Sequence, residues 1–309
     1  EDKIMGIIFA TFGGEVWKGF SFTTRLSNDV ANQLYHTWYP TYWFSSENMN
    51  TQANVRDNYN NWSTWLWENF ATYDNTFSEK HHVNIIAGTS AQQYQHKYLT
   101  TLSGPMFAED DDFAEHGDVV VDGQVSGNHD LNRLVSYYGR LSYEYGGRYL
   151  INFILRRDGT SLLGTDTRWG NFPSVSAGWI VSGENFWNVD LINFLKIRAS
   201  WGQNGMLSGL GPDQFRALIT TSGIKYPKPG GGYYTGAEPD LLANPELKWA
   251  TSEQLDLGFD MYMWDNRVTF GFDFFNKKTR DLLTPGTPPP SVGNDAPFVN
   301  AGDVLNKGI

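Results

Sequence analysis

Apolar and polar residues alternate with a period of two in segments of about ten residues, and no stretch sustains the 3.6-residue period of an amphipathic helix. In the clearest segment Leu255, Leu257, Phe259 and Met261 share one parity, while Gln254, Asp256, Gly258 and Asp260 share the other. After Trp264-Asp265-Asn266 the alternation resumes, with Val268, Phe270, Phe272 and Phe274 against Thr269, Gly271 and Asp273. Successive strand side chains point to opposite faces, so each segment has one greasy side and one polar side. The Asp-Asn between them marks a tight hairpin. Further pairs are expected at 137–145 and 149–155 around Gly146-Gly147, and at 62–73 and 83–91 around Asp74-Asn75. Segments 4–12, 19–27, 173–182 and 194–202 complete about ten strands, with room for one helical turn in 183–193.

The connections alternate in length. Short links at Gly13, Asp74, Gly146, Gly183 and Asp265 interleave with long ones near 28–60, 93–132, 157–171, 203–246 and 278–306. In an up-and-down meander every second connection lies at the same end of the sheet, so the long loops collect on one side. Transmembrane barrels have this asymmetry, with short turns at one end and long loops at the other; a sandwich has no reason to produce it. The expected fold is therefore all-β, an antiparallel up-and-down transmembrane β-barrel.

Aromatic residues support that reading: 12 Trp, 16 Tyr and 20 Phe stand among only 18% charged residues, where roughly a quarter is usual. Many lie beside the short turns, among them Trp17, Phe20, Tyr73, Phe77, Tyr145, Tyr149, Phe186, Trp187, Tyr262 and Trp264. Rings with a polar tip favour a lipid–water boundary. No run approaches the ~18 apolar residues of a membrane helix. The net charge of −11 repels phosphate and argues against a nucleic-acid partner. Absence of cysteine removes disulfide scaffolds, Cys-ligated metals and thiol nucleophiles together.

From Tyr138 onward an ordered series of motifs resembles the SusC/RagA family of TonB-dependent outer-membrane transporters. It comprises Tyr138-Gly139-Arg140-Leu141-Ser142-Tyr143, Arg148-Tyr149-Leu150, Arg157-Asp158-Gly159-Thr160, Arg168-Trp169-Gly170 and Phe172-Pro173-Ser174-Val175-Ser176-Ala177-Gly178-Trp179. Leu195-Lys196-Ile197-Arg198-Ala199-Ser200-Trp201-Gly202, Asn244-Pro245-Glu246-Leu247-Lys248-Trp249, Asn276-Lys277-Lys278-Thr279 and Asn300-Ala301-Gly302 continue it. Residues 1–133 match loosely. The resemblance implies that residues 1–309 are part of one barrel of roughly 22 strands, with an N-terminal plug, a TonB-contacting segment and closing C-terminal strands expected outside them. It further implies a Gram-negative, Bacteroidetes-like outer membrane, a SusD-like surface lipoprotein as partner, energy from the TonB complex through the missing plug, and an oligosaccharide or peptide ligand. Open strand edges cannot stand in lipid, so the isolated chain is expected not to form a stable pore.

Candidate chemistry is sparse, and no cofactor is called for. Asp110, Asp111 and Asp112, with Glu109, Glu115 and Asp118, offer hard oxygen ligands for a cation. The spacing of a calcium loop is missing, so a solvated acidic loop is the favoured reading. His81-His82, His116 and His129 have no metal or catalytic spacing. Gly230-Gly231-Gly232 opens no helix and precedes no Lys-Ser/Thr, so it is no phosphate cradle. Loop aromatics are the better ligand candidates: Trp38, Tyr42 and Trp43 in the first long connection and Tyr233 and Tyr234 in the fourth, whose flat rings suit sugar faces or peptide side chains. The chain is read as no enzyme but as part of an importer of oligosaccharides or peptides. The rival is a soluble secreted all-β carbohydrate-binding or glycoside-hydrolase domain, whose apolar strand face is buried against a second sheet. The barrel reading instead turns Leu255, Leu257, Phe259, Val268, Phe270 and Phe272 to lipid and Asp256, Asp260 and Asp273 to the lumen.

Overall fold

A computed structural model describes residues 1–13, 17–106, 117–120, 125–221, 225–287, 289, 291 and 296–309. Eleven strands form one antiparallel sheet in which each strand lies between its neighbours in the chain. They are β1 (Asp2–Gly13), β2 (Phe20–Tyr39), β3 (Asn54–Phe77), β4 (His81–Met106), β5 (Ser126–Tyr145), β6 (Tyr149–Thr160), β7 (Trp169–Ile180), β8 (Ile192–Met206), β9 (Ala250–Met263), β10 (Val268–Arg280) and β11 (Val304–Gly308). A short strand, Gly117–Val120, pairs with β4 off this path. The meander expected from the connection lengths is therefore the fold. Its residues group into two compact units, one of Glu1–Phe9, Arg25–Trp67 and Gln92–Arg133, the other of Ala10–Thr24, Glu68–Ala91 and Leu134–Ile309.

In the second unit the register aligns the alternating residues into rows. One row runs Leu141, Phe153, Val175, Trp201, Leu255; the next runs Tyr143, Ile151, Ala177, Ala199, Leu257, Phe274; a third runs Tyr145, Tyr149, Trp179, Ile197, Phe259, Phe272. This face is open: Leu255, Leu257, Val268, Phe270 and Phe272 are 37–47% exposed, so no second sheet covers them. The intervening rows are polar, and Arg198 on β8 forms ion pairs with Asp260 at 3.1 Å and Asp273 at 2.5 Å on the two following strands. Asp256 accepts hydrogen bonds from Ser200 at 3.3 Å and from Gln254 at 2.8 Å.

The short turns follow local chemistry. Gly146 and Gly147 supply positive φ for the β5–β6 hairpin, which closes with Arg148 N–H donating to the Tyr145 carbonyl at 3.1 Å. Trp264, Asp265 and Asn266 all take positive φ between β9 and β10. A 3-10 turn follows β7 at Val181–Gly183, taking the end of the expected strand 173–182 and lying ahead of most of the 183–193 connection expected to hold a helical turn. Gly14 of the expected first turn lies outside the described residues. One turn is displaced. Strand β3 continues through Asp74-Asn75 to Phe77, and the chain reverses at Ser78 and Glu79, both with positive φ. Asp74 is no turn residue because its carboxylate is used across the hairpin, accepting from Asn84 at 2.6 Å and facing His82 at 3.1 Å.

The first unit corrects two of the expected long connections. Strands β2, β3, β4 and β5 are 20, 24, 26 and 20 residues long, so most of 28–60 and part of 93–132 is strand. Alternation fades there because both faces are polar and both carry cross-strand hydrogen bonds. Odd positions of β3 engage β2: Tyr59 and Asn61 donate to Asn32 Oδ1 at 3.0 and 2.7 Å, and Asp57 faces His36 at 2.6 Å. Even positions engage β4: Thr100 donates to Asn58 at 2.8 Å, and His96 sits 3.1 Å from Asn60 while stacking on Trp62 at 5.0 Å. Hydrogen-bonded ladders persist with no greasy side to announce them.

Candidate functional site

The remaining connections of the second unit, after β6, β8 and β10, carry their own small core. Leu163 and Leu247 are fully buried beside Leu162 and Leu210, with Phe215, Trp249 and Phe298 packed around them. Polar clamps close it. Thr167 donates to the Leu247 carbonyl at 2.6 Å, Trp249 Nε1 donates to the Arg168 carbonyl at 2.9 Å, and Asn244 donates to the Phe298 carbonyl at 2.6 Å. Asn300 bridges in both directions: its Oδ1 accepts from Lys248 N–H at 2.9 Å and its Nδ2 donates to the carbonyls of Lys248 and Asp281, each at 2.9 Å. The stretches Asn244-Pro245-Glu246-Leu247-Lys248-Trp249 and Asn300-Ala301-Gly302 thus hold three connections together.

Other motif residues do similar work at the strand ends. Arg156 grips Asp158 through Nε at 2.7 and 2.9 Å and donates to Ser136 at 2.9 Å, which satisfies a carboxylate that is only 9% exposed. The Trp169 ring lies over Gly159, where a Cβ would meet it at 2.7 Å, and Arg157 stacks on the same ring at 5.2 Å. Phe172 fills the space over Gly205, where a Cβ would meet the ring at 2.2 Å. Glycine is required at both positions by close approach.

At the short-turn end Tyr145, Tyr149, Trp179 and Phe186 form a run of rings 6.1–6.4 Å apart. Glu184, outside the strands, fastens it by accepting from Trp179 Nε1 at 3.1 Å and pairing with Arg148 at 2.8 Å. Hydrogen bonds from Tyr149 and Trp179, with the Arg148 charge, hold the Glu184 carboxyl below its ordinary range. In the connection after β10, a hydrogen bond from Lys278 lowers the Asp303 carboxyl likewise.

The structure places the expected ligand contacts on exposed surfaces in separate units. In the first, Trp38, Tyr42 and Trp43 are 39%, 43% and 71% exposed, and Tyr42 begins a small hairpin of Tyr42–Ser45 with Asn48–Asn50. Tyr42 also lines an open cavity of about 310 Å³ with Tyr39, Asn50, Asn54 and Arg56. In the second, Tyr233 and Tyr234 are 69% and 52% exposed on the hairpin of Lys225–Pro227 with Tyr233–Thr235, with Lys228 5.5 Å over the Tyr234 ring. Asp110, Asp111 and Asp112, together with Glu109, Glu115 and His116, lie outside the described residues, among which no metal-binding group occurs. His81 and His82 are cross-strand partners, of Tyr143 at 2.8 Å and Asp74 at 3.1 Å. The Arg56 cavity and the Trp62–His96 stack escaped the sequence, because single polar residues within an unpatterned strand give no signal.

Comparison with known proteins agrees with this architecture. Residues 10–309 match the family model for "TonB dependent receptor-like, beta-barrel". TonB-dependent receptor P3 of Formosa agariphila is 31% identical over 291 residues, 94% of this chain, and TonB-dependent receptor SusC of Bacteroides thetaiotaomicron is 36% identical over 184 residues, 58% of this chain. The first of these extends the similarity well before Tyr138. The RagAB peptide transporter superposes with a TM-score of 0.86 at 20% identity, over 99% of this chain and 33% of that one, which establishes likeness of fold. The chain spans 28% of the length of the P3 receptor and 18% of SusC. These relatives are receptors and transporters of the Gram-negative outer membrane and not enzymes. On the family match over residues 10–309 and the eleven-strand meander, this chain belongs to the TonB-dependent receptor β-barrel family, with SusC among its relatives.

Proposed function

We propose that residues 1–309 are part of one transmembrane β-barrel domain of an outer-membrane importer, closed by strands outside this segment. The importer takes up oligosaccharides or peptides, works with a SusD-like lipoprotein at its outer loops, and draws energy from TonB through a plug carried elsewhere in the protein. The observation that carries this reading is the pairing of an open apolar face, with Leu255, Leu257, Phe270 and Phe272 at 37–47% exposure, with an opposite face knit by Arg198, Asp260 and Asp273. Lipid suits the first face and a hydrated lumen the second. The clamped connections after β6, β8 and β10 suit a fixed outer surface against which a lipoprotein lid closes.

Ligand capture is assigned to the exposed loop aromatics. In the full-length protein, Trp38→Ala with Trp43→Ala lowers ligand affinity about tenfold, the scale of a stacking ring at a kcal/mol or so each, while barrel assembly is unchanged. Unchanged binding and uptake, or loss of assembly, makes those rings structural and removes them from the ligand site.

A further inference from the structure

The cavity beside the Tyr42–Ser45 hairpin contains an arginine whose chemistry is unspent. Arg148, Arg156, Arg198, Arg216 and Arg280 each have a carboxylate within 3.2 Å. Arg56 has none among the described residues; its guanidinium lies 5.8 Å over the Tyr39 ring, and its Nε is buried with no hydrogen-bond acceptor. The adjacent carboxylate is committed elsewhere, since Asp57 faces His36 at 2.6 Å. The cavity walls are fixed by their own hydrogen bonds: Asn50 Nδ2 donates to the Pro40 carbonyl at 2.7 Å and Asn54 Nδ2 to the Gln52 carbonyl at 2.8 Å. A buried N–H donor left without an acceptor is costly, and this one belongs to a cation that lines an open cavity.

We propose that this cavity is a subsite for an anionic group of the imported ligand, a carboxylate held by the Arg56 guanidinium with the body of its residue against the Tyr39 and Tyr42 rings. The planar guanidinium matches a carboxylate with two parallel N–H donors. At about 310 Å³ the space lies at the lower end of the roughly 300–1,000 Å³ typical of small-molecule sites and holds a single acidic sugar or amino-acid unit. The proposal rests on the importer reading above and adds to it a charge preference. Two sources present the same chemistry: a uronic acid in an oligosaccharide and the C-terminus of a peptide.

The test uses the full-length protein in detergent and calorimetric titration with four probes. They are a tetraglucuronide and the neutral tetraglucoside, and a tetrapeptide with a free C-terminus and its C-terminal amide. Wild type is expected to prefer the acid over its neutral partner by tenfold or more in one arm, which identifies the source. Arg56→Gln abolishes that preference, Arg56→Lys retains part of it, and neutral binding stays within twofold. Raised salt shrinks the preference in wild type but not in Arg56→Gln. Heat-modifiable gel mobility of each variant verifies that the barrel is assembled. Equal binding of acid and neutral probes in both arms overturns the subsite, as does an Arg56→Gln loss shared equally by both partners. In either case intact neutral binding leaves the importer reading standing, whereas absence of binding by all four probes sinks both.

Discussion

Leu247 is the residue whose loss tests the outer-loop core most sharply. Its side chain is fully buried between Leu162, Leu163 and Leu210, while the clamps around it use its carbonyl and the groups of Thr167, Asn244, Trp249 and Asn300. Leu247→Ala therefore opens a cavity without removing a hydrogen bond. Such deletions cost about 2–5 kcal/mol. The cost falls on the loop cluster and not on the sheet, because the paired ladders of β6 to β10 are independent of this side chain. A local loss of about 3 kcal/mol raises the open population of the cluster on the order of a hundredfold. Hydrogen exchange of the full-length protein reads this directly, as faster exchange in peptides covering 161–168 and 244–249 with no change in β7 to β9. The neighbouring exposed Glu246→Ala is the control, with little effect expected. Unchanged exchange in Leu247→Ala, or failure of the whole barrel to assemble, refutes the idea of a loop core with its own stability.

On the apolar face, Leu257→Arg at the middle of β9 costs about 2–4 kcal/mol if that face meets lipid, and outer-membrane assembly yield should fall accordingly, whereas Ser200→Arg on the polar face assembles at wild-type level. At the short-turn end, Glu184 has a depressed carboxyl, so its clip with Arg148 and Trp179 is present at neutral pH and is lost as pH falls through a value below the ordinary 4.5. Exchange protection of 181–191, corrected for intrinsic rates, should hold down to that range and then drop, and Glu184→Gln should flatten the profile; a drop beginning near neutral pH counts against this role.

Much of the fold was legible where one face is apolar and the other is not. Segments such as 254–261 and 268–274 fix both strand and facing, and the short links between them place the hairpins. Legibility ended where both faces are polar. Asn32, Asp57, Asn58, Tyr59, Asn60 and His96 form cross-strand hydrogen bonds that a period-two search does not register, so 28–39 and 93–106 read as loops. Asp74-Asn75 misled for a related reason, since a turn-forming pair is also a good cross-strand acceptor. Among the residues proposed to meet ligand, exposed Trp38, Tyr42, Trp43, Tyr233 and Tyr234 were picked out by residue type. Arg56 was not, because its significance lies in the partner it lacks, and that is a property of three-dimensional placement.

In the barrel reading the open apolar face of β9 and β10 lies in lipid and the Arg198–Asp260–Asp273 face in water. The segment contains no cysteine, so single cysteines can be introduced from 254 to 261 and spin-labelled in the full-length protein in liposomes. Accessibility to oxygen, which concentrates in the bilayer, is compared with that to a polar nickel chelate. A period of two is expected: oxygen dominates at Leu255, Leu257, Phe259 and Met261, and the chelate dominates at Gln254, Asp256, Gly258 and Asp260. A flat profile, or the opposite phase, contradicts it.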